Sequence, residues 1–338
     1  MREVVITHHG GPEALEERMR PIPEPGPGEV RIRVRAAGVN FSDIMARLGL
    51  EADAPKPPFV PGLEVAGYID AIGPGPSRHE LKRQVLALTH FGGYADTVVV
   101  PSDYVWNAPP NLSHNEAAAI PVSYLTAVLA MYRIANLKSG ETIVIQSAGG
   151  GVGMAAIQLA RLRRAVIIGT ASSGKLPALR GHGADHALDG HAPDLDKEVA
   201  RITGGRGADV VLDPLGGESF ERSYRMLAPM GRLVVFGTQS MVTGQHRNLL
   251  QTIGTTWTHP KFNAADLMAD NRGVFGLSLM HLWKDRRALA AAMDALLVDF
   301  ASGRLKPVIA KTFPLARAGD AQNCLQDRIN VGKVVLTT

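Results

Sequence analysis

The sequence predicts an α/β protein in which a β-rich portion is interrupted by a doubly wound parallel sheet. Three observations carry this. Glu29-Val-Arg-Ile-Arg-Val-Arg35 alternates polar and apolar residues, and the pieces around it up to residue 120 are strand-like runs parted by Gly- and Pro-rich turns. From Asn115 onward helical spacing appears and strands begin to alternate with helices, as in a parallel sheet with crossover helices. Residues 141–160 compress one such unit into a short apolar strand, a glycine-packed turn and a helix of good helix formers.

Taken in order, Val4-Val5-Ile6 opens the chain as a strand, and the Pro- and Gly-rich stretch from Arg20 to Gly28 is a loop feeding the strand Glu29 to Arg35. Further strands are expected at Val65 to Ile72, Gln84 to Leu88 and Ala95 to Val100, with turns such as Gly73-Pro-Gly-Pro76 between them. Helical spacing covers Glu116 to Ile120 and Leu125 to Ile134. Strands follow at Thr142 to Gln146, Ala165 to Thr170, Asp209 to Asp213, Gly231 to Gly237 and Gly273 to Leu279. A helix over Ala288 to Phe300 leads to a terminal strand, Lys333 to Leu336.

At 338 residues the chain is long enough for two domains, and its 45% hydrophobic fraction supports a folded core. Charged or glycine-rich breaks interrupt every apolar run before the roughly twenty residues a membrane span needs. Met1-Arg2-Glu3 leads directly into a strand without an apolar signal core, so a cytoplasmic location is expected. Cys324 is the only cysteine, which excludes an intrachain disulfide and a cysteine-built zinc lobe. The 36 Lys and Arg are scattered among 32 Asp and Glu, so nucleic-acid binding is not implied; the small positive balance suits phosphorylated cofactors or phosphate-bearing thioester carriers.

The glycine turn has the layout of a dinucleotide-binding βα unit. Ala148 permits the tight turn, Gly150 lets the backbone approach a pyrophosphate, and Gly153 brings helix against strand. Amides at the helix start, at Gly151 and Val152, would then hold the phosphates. The residue that reads the adenosine ribose is expected about twenty positions on. There the chain reads Gly169-Thr-Ala-Ser-Ser-Gly-Lys175, with no acid and with Ser172, Ser173 and Lys175 as donors and positive charge, which favours the 2′-phosphate of NADPH. Gly169 and Gly174-Lys175 nearly spell a P-loop, but Leu176 stands where a magnesium-holding Ser or Thr is required.

With these pieces in order, the chain resembles the zinc-free branch of the medium-chain dehydrogenase/reductase superfamily, which includes quinone oxidoreductases, vesicle amine transport protein homologues and polyketide-type enoyl reductases. The carriers are Ala37-Gly-Val-Asn-Phe-Ser-Asp43, Pro61-Gly-Leu-Glu-Val-Ala-Gly67, Ala148 to Ala160, Thr203 to Asp213 and Asn330-Val-Gly-Lys-Val-Val335. Asp43-Ile-Met-Ala-Arg47 and Leu227-Ala-Pro-Met-Gly231 look most like the vesicle-protein homologues. The resemblance implies a GroES-like catalytic domain over residues 1–122 and 281–338 and a Rossmann domain over 123–280. In zinc-dependent members a cysteine stands at the Asn40 position and a Gly-His-Glu where this chain has Gly62-Leu63-Glu64, so both metal positions are lost. His182 and His186 lack a matched third ligand and read as a surface turn.

The chemistry implied is hydride delivery to the β-carbon of an enone or enoyl thioester, or to a quinone, with protonation of the resulting enolate. The resemblance places Asn40 and Thr126 near the nicotinamide, Gly150 and Gly153 at the pyrophosphate, and Ser172 and Lys175 at the adenosine ribose. It puts Asn330 and Lys333 near the cofactor or carbonyl, and adds Phe236 and Gly237 to the cofactor set. Asp43 is read as orienting its neighbours. Two departures matter: Glu51 follows Gly49-Leu50 where many relatives have a tyrosine, leaving water or Glu51 as proton source, and the tyrosine that NADPH-binding relatives often show near Gly190 is absent, which leaves NADH open. The competing reading is a catalytically weak nucleotide-binding protein that acts through membrane, RNA or protein partners. A homodimer paired through the apolar edge Gly273 to Leu279 is expected.

Overall fold

The computed structural model describes residues 1–242 and 260–338. These divide into two units, residues 1–125 with 279–338 and residues 126–242 with 260–278. The first unit is built on strands β1 (Arg2–Ile6), β2 (Leu15–Met19), β3 (Glu29–Val39), β4 (Glu64–Ile72), β5 (Gln84–Leu88), β6 (Thr97–Pro101) and β7 (Val105–Asn107), with β14 (Ile309–Pro314) and β15 (Lys333–Thr337) from the chain's last part. β1 and β2 form an antiparallel pair; the others make a seven-stranded sheet in the order β14-β15-β3-β4-β5-β7, with β6 also paired to β3. β3 shows why alternation read true only in part. Its first half alternates buried and partly exposed residues, with Arg31 and Arg33 both reaching Asp70. From Ala36 to Val39 every residue is buried; β15 pairs with all four, and β4 with Ala36 and Ala37. The strand therefore runs four residues beyond the Arg35 end that periodicity suggests.

The second unit carries β8 (Thr142–Ile145), β9 (Val166–Ala171), β10 (His186–Asp189), β11 (Ala208–Asp213), β12 (Leu227–Val235) and β13 (Gly273–Gly276). All pair in parallel, in the order β10-β9-β8-β11-β12-β13. Strands covered by helices on both faces need continuous apolar runs, and Val144, Ile168, Val211 and Leu233 pack with Leu195 and Val199 from a crossover helix. The order reverses between β8 and β11, which in such sheets marks a ligand crevice at the strands' carboxyl ends.

Several elements differ from expectation. Helix α3 (Pro121–Val128) gives way to a π-type segment over Leu129–Ile134, where one α-helix was expected across Leu125 to Ile134. His182 and His186 do not share a surface turn: His186 opens β10, and His182 caps the helix Leu176–Gly181. That strand is only four residues long and its first side chain is exposed, so it carries almost no apolar signal. Among the described residues no helix is long and apolar enough to cross a membrane.

Candidate active site

Strand pairing decides which side chains of the first unit meet. Val334 stands opposite Val39, and Val65 opposite Ala37, so Lys333, Asn40 and Glu64 gather at one end of β3. They are 4%, 8% and 0% exposed. The Lys333 ammonium donates to Asn40 Oδ1 and to Glu64 Oε1, both at 2.5 Å, and has Ser123 Oγ at 3.4 Å. Asn40 Nδ2 donates to Glu64 Oε1 at 2.9 Å, and Glu64 Oε2 accepts the Val122 amide at 2.7 Å. The carboxamide thus has one orientation, its oxygen toward a cation and its nitrogen toward a carboxylate. Gly38 makes the arrangement possible, since a Cβ there would come within 2.7 Å of Glu64 Cδ.

Asn40 also precedes helix α1 (Phe41–Arg47), and its own amide donates to Asp43 Oδ2 at 2.8 Å. Asp43 is fully buried and accepts from the Gly62 amide and the Tyr94 hydroxyl, each at 3.1 Å. Burial pushes its carboxyl up to about 7, against the lowering effect of the Asn40 amide. Asp43 thereby ties α1 to the Gly62 turn and holds the backbone of Asn40. Glu51 is half-buried outside this network; burial, then the nearby Asp53, raise its carboxyl above the ordinary range. Asn330 is buried and donates to the Gly332 carbonyl at 2.8 Å, shaping the loop that delivers Lys333.

In the second unit the glycine turn follows β8. Gly150 precedes helix α4 (Gly151–Leu162), and the first amides of that helix, at Gly151, Val152 and Gly153, have no intrahelical acceptor. A Cβ on Gly153 would lie 2.5 Å from Ala148 Cα and carbonyl oxygen, so helix and turn touch backbone to backbone. A Cβ on Gly150 would meet only the Ser147 carbonyl at 3.6 Å, the open space a phosphate would fill. Lys175 lies over this turn: a Cβ on Gly149 would be 3.0 Å from its Cδ and 3.7 Å from its Nζ. Ser172 is exposed just beyond β9, and Thr126 is buried on α3. Phe236 donates its amide to the Asp213 carbonyl, and Gly237 packs on Pro214, so both follow the carboxyl ends of β11 and β12.

Sequence reasoning missed Glu64, Ser123 and Tyr94 as members of the first network. Glu64 had a signal, a lone charge inside the run Gly62-Leu-Glu-Val-Ala-Gly67. It also missed a buried chain beneath the glycine turn, in which Thr170 donates to Gln146 at 2.6 Å, Gln146 to Ser223 at 3.2 Å, and Ser223 and Ser219 to Asp213 at 2.7 Å. Gln146, Thr170 and Asp213 are polar residues at the ends of apolar strands, and their bonds lock β8, β9 and β11 together.

Two family profiles match, the alcohol dehydrogenase GroES-like domain over residues 26–110 and the zinc-binding dehydrogenase domain over residues 151–296. The chain belongs to the medium-chain dehydrogenase/reductase superfamily, in the branch of quinone oxidoreductases and enoyl reductases, and is an oxidoreductase of that family. It is 37% identical to the human synaptic vesicle membrane protein VAT-1 homolog over 99% of this chain and 86% of that protein. Among solved structures it is similar to Escherichia coli quinone oxidoreductase complexed with NADPH, with a TM-score of 0.89, 27% identity and all of both chains covered. It is also similar to the CurK enoyl reductase, with a TM-score of 0.87 and 27% identity over 99% of this chain and 98% of that one.

Proposed function

We propose that the protein is a zinc-independent NAD(P)H-dependent reductase acting on the activated C=C bond of an enoyl thioester or enone, or on a quinone. The observation that carries this reading is the Asn40–Glu64–Lys333 cluster. Zinc, which names one matching profile, does not fit these residues: Leu63 has no donor atom, and Glu64 and Asn40 are bonded to an ammonium that would repel a dication. The glycine turn, by contrast, fits a dinucleotide, with Gly150 open to phosphate, the α4 amides beside it and Lys175 above it. A bound nicotinamide would supply the hydride. Lys175 and Ser172 favour NADPH, and NADH remains a second donor.

This chain's own residues then orient the reacting parts. Asn40, its carboxamide held by Lys333, Glu64 and the Gly38 carbonyl, is by the family resemblance a fixed positioning group for the nicotinamide. Water, or Glu51 with its carboxyl raised by burial and the nearby Asp53, is the proton source for the enolate carbon. The same reading includes a homodimer paired through β13. Anaerobic mixing with NADPH and either an enoyl-CoA or a quinone should bleach the nicotinamide absorbance and show which acceptor is used. No loss with any acceptor would overturn the catalytic reading, and nucleotide binding without turnover would point to action through partners instead.

A further inference from the structure

The loop at which a dinucleotide's adenosine ribose would be read is bonded to an acid on a neighbouring strand. β10 pairs with β9 so that Asp189 stands opposite Ala171, the last residue of each strand side by side. The chain leaving β9 then passes through Ser172 and Ser173 to Lys175. The Ser173 hydroxyl donates to Asp189 Oδ2 at 2.5 Å. The His191 amide donates to Oδ1 at 2.9 Å, and the His191 ring lies 3.3 Å from the same oxygen. The bond from Ser173, then the His191 amide, hold the carboxyl below its usual range, so it is ionised at neutral pH. Arg222 steadies the turn by donating to the Gly190 carbonyl at 3.1 Å.

In doubly wound folds a carboxylate at the end of the second strand bonds ribose hydroxyls and repels a 2′-phosphate. Here that strand ends without an acid, yet the adjacent strand puts one on the same loop. Asp189 also draws the Ser173 hydroxyl to itself, removing a donor that would otherwise be offered to a phosphate. We propose that Asp189 is a specificity-determining residue that limits the preference for NADPH set by Lys175 and Ser172, so that NADH is accepted as well. The inference rests on the reading of the glycine turn as a dinucleotide site.

The test uses the full chain and ligand binding in place of turnover. Calorimetry would compare 2′,5′-ADP, which carries the 2′-phosphate, with 5′-AMP, which lacks it, for the native protein, D189N and D189S. Both variants should bind 2′,5′-ADP about threefold to fivefold more tightly, with 5′-AMP changed less than about twofold, as expected for removing one exposed like charge. D194N, which removes an exposed charge five residues further along the chain, should leave both affinities alone. Equal shifts for both ligands, no shift, or the same shift in D194N would overturn the role of Asp189. If the native protein binds neither fragment nor NADPH, the dinucleotide reading itself fails, and that outcome is distinct.

Discussion

The ammonium of Lys333 has three partners, Asn40, Glu64 and Ser123, and so acts as a fixed charge. K333M would leave Glu64 buried and uncompensated, which costs about 3–5 kcal/mol, whereas K333M/E64Q should regain much of that loss in chemical denaturation. Equal stability of single and double variants would contradict the pairing. N40A should lower kcat by about a hundredfold with a smaller change in KM, as for loss of a group that positions the reacting parts. Asp43 gives a pH signature. Its folded-state carboxyl sits near 7 against an ordinary 3.8, so the folded state binds its proton more tightly and stability from this group falls as pH rises through that window. The slope of the thermal midpoint between pH 4 and 7 should be flatter in D43N. Asn40 and Lys333 were legible singly, through the motifs around them. Their bond was not, because it joins residues 293 positions apart through the pairing of β3 with β15.

At the scale of elements, the turn after β8 was the most legible feature, since the spacing of Ala148, Gly150 and Gly153 follows from backbone contact alone. G153A should push α4 off the turn and weaken NADPH binding more than tenfold in a fluorescence titration; unchanged affinity would place the cofactor elsewhere. β3 was legible from alternation, and β4, β5 and most parallel strands from apolar runs. β2, β7, β10 and β14 were not, being short or largely exposed, so that pairing with a neighbour makes them strands. Asp189 escaped notice for this reason: its place beside Ser173 depends on a four-residue strand that periodicity does not reveal.

For the molecule as a whole, β13 is the last strand of its sheet among the described residues, and it carries Phe275 at 43% exposure. An edge with an exposed aromatic is a template for pairing with a second copy. Light scattering should return twice the 36.1 kDa of the chain, and F275E should reduce it to one; a native particle of 36.1 kDa would refute the dimer.

Residue order alone determined the α/β architecture with its parallel sheet and the glycine turn of a dinucleotide-binding unit, because each is written in local period or spacing. Only the tertiary structure decided that Asn40, Glu64 and Lys333 form one buried network and that Asp189 reaches Ser173. Those meetings depend on strand register, which brings distant residues within hydrogen-bond distance and leaves no local trace.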